Sequence, residues 1–106
     1  MIRASFTESG GSVRGFRIEG HSGLAESGGD VLCASVSATA MLVINTLSES
    51  YKSELRLECD EENAVIDCEL LSVGEEFEEA VRLLLLSYKR ELEYYAESYP
   101  ENIKVQ

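Results

Sequence analysis

The sequence predicts an α+β fold, a ββαββαβ sheet with one buried central helix and one long amphipathic helix, built as a single domain over residues 1–106. Three observations predict it. Residues 2–19 alternate apolar and polar side chains about a Gly-Gly turn, residues 31–47 are apolar with few interruptions, and residues 77–99 repeat apolar side chains every three or four positions. With 106 residues and 44% hydrophobic content, there is material for one modest core.

Ile2, Ala4 and Phe6 alternate with Arg3, Ser5 and Thr7, and Ser9-Gly10-Gly11-Ser12 supplies turn residues. Val13 to Glu19 then carries Phe16 and Ile18 on one face, completing a β-hairpin. Gly20 opens a spacer rich in Gly and Ser that runs to Gly29 without periodicity and is expected to be mobile. Asp30 is a good N-cap, since its carboxylate accepts amides of the first turn. From Val31 to about Leu47 the helix is apolar nearly all round, which predicts burial, and Ala34, Ser35, Ser37 and Ala38 are small enough to let a sheet approach closely. Glu54 to Cys59 and Ala64 to Leu70 flank Asp60-Glu61-Glu62-Asn63. A four-residue loop there pairs Cys59 with Ala64, Leu57 with Ile66 and Leu55 with Cys68, all six on one face. Ser72 and Glu75 form an S-x-x-E capping box ahead of a helix in which Phe77, Val81, Leu84, Tyr88, Leu92, Tyr95 and Tyr99 recur. Pro100 ends that helix, and Ile103 and Val105 alternate with Asn102 and Lys104 in a short last strand.

Twenty acidic against nine basic residues give a net charge of -11, which repels phosphate backbones. Direct nucleic-acid binding is therefore not expected; basic partners, or simply a solvated surface, are. The N-terminus lacks the charged-then-apolar layout of a secretory signal, and the apolar run at 31–44, interrupted by Ser35, Ser37 and Thr39, falls short of the ~20 residues of a membrane span. The expected location is the cytoplasm, away from membranes. Cys33, Cys59 and Cys68 have no CxxC spacing, so free thiols are expected rather than disulfides or a metal site, and no cofactor is implied. Cys59 and Cys68 read as core thiols.

With Asp30 as N-cap, Cys33 stands at N3, where unpaired amides and the positive end of the helix dipole favour a thiolate and lower its pKa. Asp30 and Ser37 lie one turn to either side, so a carboxylate, a thiol and a hydroxyl point roughly together. His21, the single histidine, precedes Cys33 by twelve residues, a length that easily returns the imidazole to the sulfur. Such a pair can act as a cysteine hydrolase: the sulfur attacks a carbonyl, the imidazole protonates the leaving amine, and amides at the helix start hold the oxyanion. A small core thiol at a helix start has the same spacing, so the spacing leaves both readings open. Tyr88, Tyr94, Tyr95 and Tyr99 crowd the end of the long helix, either as core or as a dimer surface.

The segment GHSGLAESGGDVLCASVSA resembles the signature of the ribosomal-processing cysteine protease family, Prp: a GH motif, a glycine-containing loop, and a D-[IV]-[VL]-C-A segment followed by a serine. The resemblance implies His21 as general base and Cys33 as nucleophile, with Asp30 and Ser37 supporting the site. It also implies Gly20, Gly28 and Gly29 as glycines of a loop that moves over substrate. Ser22 stands where Ala is expected, and residues 23–27 lack the aromatic or second histidine of many relatives. The family further implies a homodimer whose substrate is a basic large-subunit ribosomal protein, relieved of a short N-terminal extension by a cut after an aromatic pair. The rival reading from another class is a non-enzymatic ribosome-associated or assembly factor that binds a basic ribosomal protein.

Overall fold

Gly10 and Gly11 take left-handed φ values of 61° and 82°, which lets β1 (Ile2–Ser9) turn back as β2 (Ser12–Glu19) through two residues. The computed structural model describes residues 1–23 and 30–106. After β2 come α1 (Val31–Asn45), β3 (Glu54–Asp60), β4 (Val65–Ser72), α2 (Glu78–Ser98) and β5 (Ile103–Val105), the expected ββαββαβ order. The strands form one sheet in the order β3-β4-β2-β1-β5, antiparallel throughout except that β5 lies parallel to β1 at the edge. A parallel neighbour needs a crossover, and the 21-residue α2 supplies it.

Strand alternation gives the sheet two chemically different faces. Ile2, Ala4, Phe16, Ile18, Cys68, Leu70 and Ile103 are buried in one core with Leu32, Val36, Ala40, Val43 and Ile44 of α1 and Val81, Leu85, Tyr88 and Leu92 of α2. Each large apolar side chain buried there contributes roughly 1.5–3 kcal/mol before chain entropy is charged against it. The other face is polar: Arg17 pairs with Asp67 at 2.8 Å, and Arg56 reaches both Asp67 (3.3 Å) and Glu69 (3.1 Å). Tyr88 locks the helices together, its hydroxyl donating to the Val36 carbonyl at 2.9 Å and accepting from Thr39 Oγ1 at 3.2 Å. Its ring meets Phe16 edge-on at 5.2 Å, and burial pushes its phenol up to about 12.

Four local expectations are corrected. First, α1 is not buried all round. Val31 is 74% and Leu42 66% exposed, with Met41 also exposed, because the sheet and α2 cover only part of it. Its small residues Ala34, Ser37 and Ala38 also face outward; Leu32, Val36 and Ala40 make the buried side. The helix ends at Asn45 and continues as a π-helical turn, Thr46–Ser50. The run Val31–Ser50, with mean hydropathy 1.7, is long and apolar enough by length and composition to cross a membrane, beyond the sequence estimate; here its buried side belongs to the core of the sheet. Second, there is no capping box: Ser72 is the last residue of β4, its hydroxyl donates to Glu54 at 3.5 Å, and a 3-10 turn, Glu75–Phe77, leads into α2.

Third, the β3–β4 register lies two residues further on, with Cys59 opposite Ile66, Leu57 opposite Cys68 and Leu55 opposite Leu70. Asp60 belongs to the strand, not the loop: its carboxylate accepts Asn63 N–H at 3.1 Å and Nδ2 at 2.7 Å, folding the turn that ends at Ala64 with φ 53°. A shift of two preserves the faces, so the apolar set survives the error with Leu70 in place of Ala64. Fourth, Cys68 is core but Cys59 is exposed, since β3 is an edge strand; both thiols are free.

Candidate active site

Gly20 ends β2 at φ 93°, where a Cβ would stand 2.5 Å from the Met1 carbonyl oxygen, and its N–H donates to the Ala64 carbonyl at 3.1 Å. Only glycine fits that turn, and the turn delivers His21 and Ser22 to the start of α1. Asp30 caps α1 as expected: Oδ1 accepts the Cys33 N–H at 3.0 Å. Ser22, 2% exposed, completes the contact. Its amide donates to Cys33 Sγ at 3.4 Å, its hydroxyl donates to the Asp30 carboxylate, and its carbonyl accepts from Asn102 Nδ2 at 2.8 Å.

These contacts set the charge states. The bonds from Cys33 N–H and the Ser22 hydroxyl hold Asp30 below the usual carboxylate range. Burial pushes the Cys33 thiol up; the Ser22 amide pulls it down, and the Asp30 carboxylate adds to the rise. The net direction is upward, which corrects the expectation of a depressed thiol in the resting chain. The physical reason is burial first, and then that the helix cap is itself an anion: Asp30 takes up the N–H of Cys33 and sets a negative charge near its sulfur. Because Asp30 takes up that N–H, the Cys33 amide is not a free oxyanion donor, as the sequence alone had suggested for the helix start.

His21 is exposed and lines a cavity of about 350 Å³ together with Cys33, Ser37, Val36, Met41, Ile18 and Ile66. Among the described residues the donor to Sγ is the Ser22 amide, not the imidazole. The structure thus brings His21, Cys33 and Ser37 to one cavity, with Gly20 at its wall, and sets Asp30 behind the sulfur through its cap. Gly28 and Gly29, and with them most of the spacer expected to be mobile, lie outside the described residues. Four residues the sequence did not single out belong here. Cys59 and Asp60 from the end of β3 and Glu61 from the turn after it line the cavity, and Asn102 reaches Ser22 from the turn before β5. Alternation on β3 was the signal for Cys59; a contact across 80 positions, Asn102 to Ser22, has none. Of the tyrosines, Tyr88 is core, whereas Tyr94 and Tyr99 are exposed. Among the described residues no cluster of three His, Cys, Asp or Glu side chains could hold a metal ion.

Solved structures share this architecture. An essential ribosomal processing protease Prp from S. aureus, in complex with a covalently linked product peptide, superposes with a TM-score of 0.86 at 22% identity, over 100% of this chain and 98% of that one. The same S. aureus protease with a substrate peptide gives 0.82 at 21% identity, over 100% and 98%. SMU.848 from Streptococcus mutans gives 0.84 at 27% identity, over 100% and 96%. No curated protein matches the sequence. A family model described as cysteine protease Prp matches residues 1–104. With that match spanning the sheet, both helices and the thiol at the head of α1, the chain belongs to the Prp family of cysteine proteases.

Proposed function

We propose that the chain is an endopeptidase that removes an N-terminal extension from a basic large-subunit ribosomal protein, with Cys33 as nucleophile and His21 as proton carrier. The observation that carries this reading is the cavity that Cys33 and His21 share. The S. aureus relatives, described as ribosomal processing proteases and held with a substrate peptide or a covalently linked product peptide, support the substrate class.

Burial raises the Cys33 thiol, which favours a proton that is handed to His21 as the sulfur attacks. The imidazole of His21 takes the Cys33 proton, the sulfur bonds to the scissile carbonyl carbon, and the carbonyl electron pair moves onto oxygen. The oxyanion collapses, the C–N bond breaks, and the leaving amine takes the proton from His21. Water then attacks the thioester, losing a proton to His21, and the sulfur leaves with the acid product released. Asp30 fixes the first turn that aims Sγ. Ser37, one turn on and lining the cavity, can donate to bound peptide. The apolar cavity wall suits an uncharged side chain beside the cut, while Asp60 and Glu61 and the net charge of -11 suit a basic protein. Exposed Val31, Met41 and Leu42 on α1 favour a second copy of the chain, hence a homodimer. Ribosomal proteins are made in the cytoplasm, which is the location proposed.

The test is incubation with an N-terminally extended ribosomal protein, read by mass spectrometry, beside Cys33→Ala. A product lacking the extension, absent with the variant, is expected. Cleavage that survives Cys33→Ala would refute the nucleophile; stable binding without cleavage, unchanged by the variant, would instead identify a binding factor.

A further inference from the structure

We infer that Asn102 is a positioning residue for the Cys33 thiol, acting through Ser22 from the opposite end of the chain. Three groups of Ser22 point three ways: its amide to Cys33 Sγ (3.4 Å), its hydroxyl to the Asp30 carboxylate, and its carbonyl to Asn102 Nδ2 (2.8 Å). The first two contacts are the ones that touch the sulfur and its helix cap. The Asn102 side chain holds the carbonyl of the same residue, and so restrains the backbone from which both contacts are made.

Asn102 is well anchored for the task. Its carbonyl accepts the Ile2 N–H at 2.8 Å and its own N–H donates to the Tyr99 carbonyl at 2.9 Å. One residue therefore ties the start of β1, the end of α2 and the residue after His21. The neighbouring peptide is held as tightly, since Gly20 donates to the Ala64 carbonyl at 3.1 Å. With both sides of His21-Ser22 pinned, the Ser22 amide stays aimed at the sulfur. An N–H aimed at sulfur stabilises the thiolate more than the thiol, because the bond to the charged form is the stronger one. In a thiol whose burial and neighbouring carboxylate both oppose ionisation, that amide is the larger of the two Ser22 contacts that act the other way.

The inference rests on the reading of Cys33 as the reactive thiol, and its test does not depend on cleavage. Asn102→Ala and Asn102→Leu both remove the donor without adding charge, the second keeping the volume, and both leave the two backbone bonds of residue 102 intact. Iodoacetamide labelling across pH 6–10, resolved by peptide mass spectrometry, follows Cys33 with Cys59 as the internal reference in the same sample. In both variants the Cys33 profile is expected to move to higher pH and its rate at pH 7 to fall about three- to tenfold, the worth of one ordinary hydrogen bond, because the Ser22 amide is loosened and not removed. The Cys59 profile should stay in place. A Cys33 profile that does not move relative to Cys59 overturns the inference, whatever happens to the melting temperature, because a purely structural role would change stability alone. Failure of the proposed function is a separate result, cleavage surviving Cys33→Ala.

Discussion

Replacing Gly20 by alanine should damage stability and the thiol together. The left-handed φ of 93° costs a residue with a Cβ about 1–2 kcal/mol. In addition the new Cβ would stand 2.5 Å from the Met1 carbonyl oxygen, a backbone atom with no rotamer to escape into. The strand end must move, and the bond from Gly20 N–H to the Ala64 carbonyl, worth ~1–2 kcal/mol once its carbonyl is left unpaired, goes with it. The sum is a loss of roughly 2–4 kcal/mol for Gly20→Ala. Gly10→Ala is the control: its φ of 61° is left-handed but nothing lies within 4 Å of its Cβ position, so only the dihedral cost of ~1–2 kcal/mol applies. Urea denaturation of both variants measures the difference. Labelling of Cys33 reads the second effect, since displaced Gly20 carries Ser22 and its amide away from the sulfur. Equal losses for the two variants, or a Cys33 labelling profile unchanged in Gly20→Ala, would refute the reasoning.

Other predictions follow from burial and charge. In the native protein a thiol reagent should modify exposed Cys59 readily and buried Cys68 only on unfolding; rapid reaction at Cys68 without denaturant would contradict its 1% exposure. Burial raises the Cys68 thiol to about 11 and the Tyr88 phenol to about 12. Both acids are therefore held neutral by the fold, so stability is intact below their unfolded values of 9.0 and 10.0 and is lost as pH rises through the folded ones. Urea midpoints should fall between pH 9 and 11, and Cys68→Val should flatten the first part of that decline. Leu92→Ala, at a side chain 0% exposed between α2 and the sheet, should cost about 2–5 kcal/mol by calorimetry.

The resting charge state has a consequence for mechanism. Asp30 serves the helix as a cap and opposes the thiolate as a neighbouring anion. Asp30→Asn keeps a good cap and removes the charge, so Cys33 should label faster near neutral pH with little change in melting temperature. Slower labelling in Asp30→Asn would mean that the carboxylate does not oppose ionisation.

The sequence by itself determined what depends on neighbours along the chain. Alternation set the strands, the three-to-four repeat set α2, Gly10-Gly11 set the hairpin, and Asp30 three positions before Cys33 set the cap that fixes Cys33 at N3. These are local rules of backbone geometry, and one chain segment suffices to satisfy them. Tertiary structure alone decided which apolar residues are covered and which groups face the sulfur. Val31 and Leu42 are as apolar as Leu32, yet stand exposed because the sheet lies under one side of α1 only. The β3–β4 register moved by two because Asp60 bonds to Asn63, a choice that alternation, with its period of two, cannot make. The thiol's acidity takes the direction opposite to the expected one because burial and an anionic cap outweigh the Ser22 contacts. Ser22 and Asn102 meet only once β5 lies beside β1, since a hydrogen bond depends on distance in space and leaves no period in sequence.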